Sequence, residues 1–429
     1  MKYLLNKKTE TVYFCLYLSL ILGLFLNEDF AFGYIRDYLL HKKVSHIFDN
    51  GILNALLNYE KLDFETVNGK VILADEISTP VPHSPLFIFY FFIIEKISNS
   101  EFVAKLIHLH FCLLIPYVFY KCIKEKYGFN NKYLKFVPAI IFISPYFRSG
   151  AIWIDDNIFA LIFFVLSIYY FIKIEKSEKN ILTNIFFNIL FLATASYFRP
   201  IYSIFAIFFL FNYLNKLNYY RLIYYIFLNL LLSFPAIYYV FVLEINQWFK
   251  NHLFRTDFIT LISLSISVIF FYFIPFIKIF LKFFLEYKFK KIDILVLCSI
   301  FLLIYINFDY HLLYSGGIVY KVSNLIFDNS FLIFLFSSIS IFVFFRFFLK
   351  IKNRSNLSDI LLIFLLIFME IDGVIYHETY DPLIYLIFFL IFKNKYINDY
   401  IKKIDKSDFI VLSSFVSIFY LLSIFKTFL

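Results

Sequence analysis

Long apolar runs separated by short polar segments cover most of this chain. About 13 of these runs predict membrane-spanning helices, because a bilayer core of about 30 Å needs about 20 mainly apolar residues in helical form. The predicted spans are 11–27, 101–123, 135–146, 157–175, 180–197, 200–216, 221–243, 257–281, 292–308, 325–346, 358–371, 380–393 and 408–426. The pattern predicts an all-α polytopic membrane protein with a single transmembrane domain over residues 1–429.

One apolar run, at residues 84–97, is too short to cross a bilayer core. We interpret it as an interfacial helix that closes a long outer loop over residues 28–100. The earlier part of this loop has an amphipathic pattern and predicts juxtamembrane helices. Its apolar residues are expected to face the membrane, namely Tyr34, Leu39, Leu40, Ile47, Ile52 and Leu53. Residues 101–243 form the first half of the predicted bundle, and residues 244–429 supply its C-terminal spans.

The composition supports a membrane protein. Apolar residues make up 62% of the chain and the mean hydropathy is +0.78, whereas soluble chains are about 45–50% apolar. These values exclude a soluble globule, a disordered chain and a small disulfide scaffold. None of the four cysteines forms a Cys-x-x-Cys pair, so the sequence gives no zinc-site or disulfide pattern.

The distribution of basic residues predicts the orientation of the spans. The formal net charge is +9. If residues 84–97 do not cross, 26 Lys and Arg residues fall in segments on the cytoplasmic side, and six fall in the short outer loops and the C-terminus. If they do cross, this bias inverts. The sequence therefore predicts a cytoplasmic N-terminus, and it shows no basic domain that would bind nucleic acid.

With this topology, ionisable residues collect where predicted spans reach the outer surface. A charge near membrane depth needs a partner or a water-filled cavity, so we treat these residues as functional candidates. A carboxylate can deprotonate an acceptor hydroxyl, and an arginine can hold a lipid-linked phosphate. The candidates are Glu28, Asp29, His83, Arg148, Asp155, Asp156, Arg199 and Tyr380.

Each candidate also has a simpler structural explanation. Asp29 can mark the water boundary of the first span, and Asp155 and Asp156 can cap the N-terminus of a helix. Arg199 can bind lipid headgroups, and His83 and His377 can be solvated loop residues. Trp153 and Trp248 are typical of an interfacial aromatic belt. His108 and His110 lie two apart and do not share a helical face, which argues against a metal site there.

The order of these residues resembles the GT-C superfamily of polytopic membrane glycosyltransferases over about the first 220 residues. Glu28-Asp29 resembles the acidic site after the first span, and residues 79–86 resemble the Pro-rich entry of the second juxtamembrane helix. Residues 144–157 resemble the second acidic site. Two further segments, Tyr197-Phe198-Arg199-Pro200 and Tyr380-Asp381-Pro382, are similar to elements of bacterial members that glycosylate surface glycans, close to the protein-mannosylating branch.

The resemblance implies an inverting glycosyltransferase that moves a sugar from polyprenyl phosphate to a glycan or a lipid-linked acceptor. Asp29 would be the base, with Glu28 as the alternative. Arg199 and Arg148 would hold the phosphate, while His83 and Tyr380 would bind substrate. Asp155 or Asp156 would bind the acceptor, orient the site around Asp29, or hold a divalent cation; no cofactor is required.

The implied location is a bacterial plasma membrane with the site outside, or the ER membrane in a eukaryote. Two other classes stay open at this stage. A flippase or transporter for lipid-linked glycans would place charges in mid-span and show internal symmetry. A non-catalytic scaffold with the GT-C fold would keep the architecture without transferring sugar.

Overall fold

The chain folds almost entirely into helices in the part that the computed structural model describes. The described residues are 2–29, 34–57, 64–67, 70–73, 84–128, 131–241, 258–311, 315–349, 354–370 and 375–426. Helices suit continuous apolar sequence in a bilayer, because each backbone N–H and C=O finds its partner within the same segment.

The helices of the first half are α1 (Lys2–Phe25), α2 (Tyr34–Ser45), α3 (Ile52–Leu57), α4 (Pro85–Ile97), α5 (Glu101–Cys112), α6 (Leu114–Tyr127), α7 (Pro145–Ile152), α8 (Asp156–Lys176), α9 (Ile181–Phe198), α10 (Phe205–Tyr213) and α11 (Tyr219–Phe241). Short 3₁₀ segments lie at His46–Asn50, Tyr133–Lys135, Val137–Ile143 and Pro200–Ile204.

The helices of the second half are α12 (Phe258–Phe273), α13 (Ile277–Glu286), α14 (Lys291–Asn307), α15 (Gly317–Phe327), α16 (Phe331–Leu349), α17 (Arg354–Ile367), α18 (His377–Tyr380), α19 (Leu383–Leu390), α20 (Lys395–Lys403) and α21 (Lys406–Lys426). A 3₁₀ turn at Ile274–Phe276 joins α12 to α13.

A short antiparallel hairpin interrupts the helical pattern within the predicted outer loop. Its strands are β1 (Phe64–Val67) and β2 (Lys70–Leu73), and Phe64 pairs with Leu73. The sequence between the strands is Asn-Gly, the dipeptide that most favours a two-residue hairpin connection. The prediction of helices alone for this loop therefore overlooked a local turn signal.

The chain divides into two compact units. The first unit contains Met1–Lys126, Lys135–Asn251 and Val416–Leu429, and the second contains Tyr127–Leu134 and His252–Phe415. In the first unit, α8 packs along α9, which also contacts α11, while α4 lies against α2, α5 and α9. In the second unit, α16 contacts α12, α14 and α15.

Seven helices in the described residues are long and apolar enough to cross a membrane. They are Glu101–Tyr127, Asp156–Lys176, Ile181–Phe198, Tyr219–Ile237, Phe258–Glu286, Phe331–Leu349 and Lys406–Ile424. Shorter apolar helices include Thr9–Phe25, Pro200–Tyr213 and Asn356–Ile367. The chain is therefore a helical protein with the composition and helix lengths of a multi-pass membrane protein.

Several predicted boundaries were wrong, and prolines lie at two of the differences, Pro145 and Pro382. The segment predicted to span at 135–146 is largely 3₁₀ from Val137 to Ile143, and α7 begins at Pro145. The span predicted at 325–346 joins the end of α15 to most of α16. The span predicted at 380–393 contains α19, whose eight residues rise only about 12 Å. Tyr34, expected on the membrane face, is buried.

The short helix α4 agrees with its sequence pattern. Ser84 caps the N-terminus of this helix, since its side chain accepts a hydrogen bond from Phe87 N at 3.3 Å. Pro85 occupies the first turn, where the missing N–H of proline costs little. Phe87, Ile88 and Phe91 are fully buried. A helix of 13 residues rises only about 20 Å, so α4 is too short to cross a core of about 30 Å.

A buried polar network joins α8, α9 and α10. Asn188 Nδ2 donates to Ser167 Oγ and to Ser167 O, both at 2.9 Å. Ser167 Oγ donates to Asn188 O at 2.8 Å, and Tyr213 OH donates to Asn188 Oδ1 at 3.1 Å. Asn188 and Ser167 are fully buried, so this network ties three helices together where no water replaces a lost bond.

We expect Asn188→Leu to lower the free energy of unfolding by about 1–2 kcal/mol, since hydrogen bonds between membrane helices contribute about 0.6 to 1.7 kcal/mol each. Thermal denaturation in detergent micelles measures the effect. Asn229→Leu is the matched control, because Asn229 Nδ2 donates to Tyr225 O within the same helix. Equal melting temperatures for the two variants would show that the network does not stabilise the helix packing.

Candidate functional site

The sequence just after α1 turns back against its own helix. Asn27 adopts φ 50°, the left-handed conformation that Asn tolerates better than most residues. Glu28 N donates to Gly23 O at 2.9 Å, which is the hydrogen bond of a Schellman motif. This acidic turn, residues 27–29, thereby directs the Glu28 side chain toward the interior of the first unit.

Glu28 and Arg148 form a buried, bidentate ion pair. Arg148 Nε donates to Glu28 Oε1 and Arg148 Nη2 donates to Glu28 Oε2, each at 2.6 Å. The side chains are only 3% and 4% exposed. Gly23 provides the space, because a Cβ at this position would lie 2.9 Å from Arg148 Nη2 and would collide with Glu28 Oε2.

The remaining hydrogen-bond donors of Arg148 are also occupied. Nη1 donates to Ser19 Oγ at 3.1 Å and to Phe142 O at 3.2 Å, and Nη2 also donates to Ser19 O at 3.0 Å. Together with the two bonds to Glu28, these account for all five N–H groups of a guanidinium. Burial disfavours the charge, but the bonds to Glu28 outweigh it and raise the pKa of Arg148.

This pairing changes two of the predicted roles. Arg148 was predicted to hold a substrate phosphate, yet its N–H groups bond within the protein. Glu28 was the alternative catalytic base, yet both of its carboxylate oxygens accept from Arg148. We therefore assign Glu28 and Arg148 to holding α1 against the start of α7, and we withdraw them from the predicted substrate site.

Lys105 and Trp153 support the acidic turn from the other side. Lys105 Nζ lies 3.3 Å from the centroid of the Trp153 ring, within cation–π range. It also lies 2.8 Å from Glu101 Oε1. Trp153 Nε1 donates to Glu28 O at 2.9 Å. Trp153 is buried here rather than exposed in the interfacial belt that its sequence position suggested.

The start of α8 carries the second pair of predicted acidic residues. Asp155 caps this helix, since its side chain accepts from Ile158 N at 2.9 Å. The capping alternative is thus confirmed for Asp155. Ile154 precedes it at φ 55°, a strained conformation for a β-branched residue. Such strain persists only where surrounding packing imposes it, and it is often found at functional sites.

Asp156 holds the guanidinium of Arg199, which follows the last turn of α9. Arg199 Nη1 lies 3.3 Å from Asp156 Oδ2 and 3.4 Å from Oδ1. These distances exceed the 2.7–2.9 Å usual for charge-assisted hydrogen bonds, whereas the Arg148 pair is tighter. The Arg199 side chain is 23% exposed, so this arginine is the accessible one of the two.

The other predicted residues have varied positions. Asp29 is half-buried, and its Oδ2 accepts from Ile35 N at 3.2 Å. His83 lies outside the described residues, as does Trp248. Tyr380 belongs to the second unit, where its hydroxyl donates to Leu366 O at 3.2 Å. In the described residues, no three His, Cys, Asp or Glu side chains group as metal ligands would.

Two histidines differ as their spacing predicts. His108 is fully buried, with Tyr90 OH 2.9 Å from Nδ1 and Gly150 O 3.3 Å from Nε2. His110 lies on the exposed side of the same helix. Gly150 O also accepts from Asp155 N at 3.1 Å, so His108 contributes to the packing around the start of α8.

The geometry predicts that Glu28→Gln lowers the free energy of unfolding by about 3–5 kcal/mol, because it leaves a buried guanidinium without its counter-charge. Denaturation of the purified protein in detergent measures this loss. We expect the double variant Glu28→Leu/Arg148→Met to recover much of the stability, since it removes both charges.

Asp49→Asn is the control, because Asp49 pairs with Lys96 at 2.7 Å on the protein surface. Exposed ion pairs contribute little, so this variant should melt close to the wild type. A Glu28→Gln protein as stable as Asp49→Asn would contradict a stabilising role for the buried pair.

No protein-family model, curated protein or solved structure matches this chain. The functional argument therefore depends on the geometry of the residues described above. Within the first unit, Trp153 contacts the acidic turn through Glu28, and the chain continues from Trp153 to the start of α8, where Asp156 contacts Arg199 at the end of α9. Asp29, Asp156 and Arg199 are the residues whose chemistry suits a reaction.

Proposed function

We propose that this protein is a membrane glycosyltransferase that moves a sugar from a polyprenyl-phosphate donor to a hydroxyl of a glycan or lipid-linked acceptor. The observation that carries the proposal is the partly exposed guanidinium of Arg199, held by Asp156 where two candidate membrane spans end. A cation at the end of apolar helices suits a phosphate whose lipid tail stays in the membrane.

In this proposal Asp29 is the general base. Its carboxylate takes the proton from the acceptor hydroxyl, and the hydroxyl oxygen attacks the anomeric carbon of the sugar. The bond from that carbon to the phosphate oxygen breaks with inversion, and polyprenyl phosphate leaves with the bonding electrons. Arg199 stabilises the charge that develops on the phosphate.

Asp156 acts on the reaction through Arg199. Its side chain is 3% exposed and anchors the guanidinium from the protein side. Asp155 has a separate task in capping α8, so a divalent cation bound by both aspartates would have to displace the cap. We therefore favour stabilisation of the leaving group by Arg199 over stabilisation by a metal ion at this pair.

The wider architecture is part of the proposal. We propose about 13 spans in a GT-C-like arrangement, with the acidic turn on the outer face of a bacterial plasma membrane or on the lumenal face of the ER. His83 stays a predicted substrate-binding residue. The acceptor would enter beside the outer loop, and the donor would enter from the lipid.

A non-catalytic scaffold is the second candidate. The first unit contains two ion pairs between predicted site residues: Glu28 pairs with Arg148, and Asp156 pairs with Arg199. A protein that only keeps the fold needs such pairs for stability alone. For a scaffold, carboxylate substitutions would change assembly or stability without changing any transfer reaction.

We expect Asp29→Asn to reduce sugar transfer by about 100-fold or more, since a positioned general base contributes about 10²–10⁴ in rate. An asparagine oxygen can still accept from Ile35 N, so the local fold should survive. The measurement is release of polyprenyl phosphate from a panel of polyprenyl-phosphate sugars, followed by mass spectrometry with membrane glycans as acceptors.

Asp49→Asn is again the control, because it makes the same chemical change at an exposed carboxylate. Arg199→Lys should lower the transfer rate while leaving the melting temperature nearly unchanged, because it loses the planar guanidinium but keeps a positive charge beside the buried Asp156. Full activity of Asp29→Asn would remove it from the base role. The scaffold would be favoured if the wild-type protein releases no polyprenyl phosphate from any donor but pulls down other membrane proteins.

A further inference from the structure

A charged cavity lies in the first unit, and its lining includes none of Asp29, Asp156 and Arg199. It has a volume of about 160 Å³ and is bounded by α2, by the end of α4 and by the start of α5. Its lining includes Lys42, Glu95, Ser98, Asn99, Ser100 and Glu101. A compact polar group fits in this volume.

The charged cavity presents both signs of charge. Lys42 Nζ is 3.8 Å from Glu101 Oε2, a distance too long for a hydrogen bond. Glu95 Oε2 accepts from Ser45 Oγ at 3.0 Å. Partial burial raises the pKa of the Glu95 carboxyl, although Ser45 and Lys42 oppose the shift. A ligand with an ammonium group and an anionic group could form one ion pair with Glu95 and another with Lys42.

The position of the charged cavity indicates the source of such a ligand. Glu101 is the first residue of the candidate span Glu101–Tyr127, so the cavity lies at the polar end of a membrane helix. Apolar side chains flank it and are open to the surroundings, namely Ile97 (69% exposed), Phe102 (39%) and Val103 (37%). A charged cavity beside an apolar surface matches a phospholipid, with a polar headgroup and acyl chains.

We propose that the charged cavity binds the phosphoethanolamine headgroup of a membrane phospholipid, with the primary ammonium on Glu95 and the phosphate on Lys42. A primary ammonium donates three hydrogen bonds, which carboxylate, serine and asparagine oxygens accept. This binding is independent of sugar transfer and needs neither Asp29 nor Arg199.

The lining residues explain the choice among headgroups. Quaternary ammonium groups have no N–H donors and are usually held by aromatic rings, and the described lining contains none. A phosphoserine headgroup adds a carboxylate that Glu95 and Glu101 would repel. A phosphoglycerol headgroup has no cation to pair with Glu95.

The test measures binding of short-chain lipids to the full-length protein in detergent by isothermal titration calorimetry. The probes are dihexanoyl phosphatidylethanolamine, the matching phosphatidylcholine and phosphatidylglycerol, and free phosphoethanolamine. We expect phosphatidylethanolamine to bind about tenfold more tightly than the other two lipids, a difference of about 1.4 kcal/mol. Free phosphoethanolamine should bind more weakly, because it cannot contact Ile97 and Phe102.

Glu95→Gln and Lys42→Gln should each weaken phosphatidylethanolamine binding by about tenfold. Lys42 is 42% exposed in its side chain, so its variant tests the proposal even if Glu95→Gln fails to fold. Lys96→Gln is the matched control on α4, because Lys96 pairs with Asp49 away from the cavity lining.

Equal affinities for phosphatidylethanolamine and phosphatidylcholine would overturn the proposal, as would unchanged binding by Lys42→Gln. If free phosphoethanolamine binds as tightly as the lipid, the membrane source is rejected and the ligand is a soluble phosphorylated amine.

Discussion

The first unit depends on one buried ion pair. Glu28 and Arg148 are 120 residues apart in sequence, yet their bidentate contact joins the end of α1 to the start of α7. Separating two such charges in a low-dielectric interior is costly, so the pair fixes both elements once it has formed. The ion pair therefore also constrains the turn that carries Asp29, because Glu28 is the preceding residue.

The remaining contacts extend this constraint toward the surface. Trp153 binds the main chain of Glu28 and receives Lys105 on its ring face. The chain then passes through the strained Ile154 to Asp155 and Asp156, at the start of α8. Along this path the arginine side chains change from the buried Arg148, 4% exposed, to the partly exposed Arg199, 23% exposed.

The sequence predicts the helical class, the short helix at 84–97 and the grouping of charges at helix ends, because these follow from local apolar patterns and the cost of burying charge. It does not predict which charges pair. Glu28 had several candidate partners, and selecting Arg148 requires knowing that α1 packs beside Val137–Ile143. The 3₁₀ segment itself had a signal in Pro138 and Pro145, which bracket a stretch too short for a regular span. The role of Trp153 had no sequence signal beyond its position near a predicted interface.

The buried ion pair between Glu28 and Arg148 restricts which residues can replace Gly23 during evolution. The chain has only 9 glycines among 429 residues, and this one lies inside a helix, where glycine is disfavoured relative to alanine by about 1 kcal/mol. Its lack of a side chain makes room for the carboxylate and the guanidinium. In related chains, Gly23, Glu28 and Arg148 should therefore be inherited as a set. A lineage that replaces the ion pair with apolar side chains becomes free to replace the glycine, and one that keeps the pair does not.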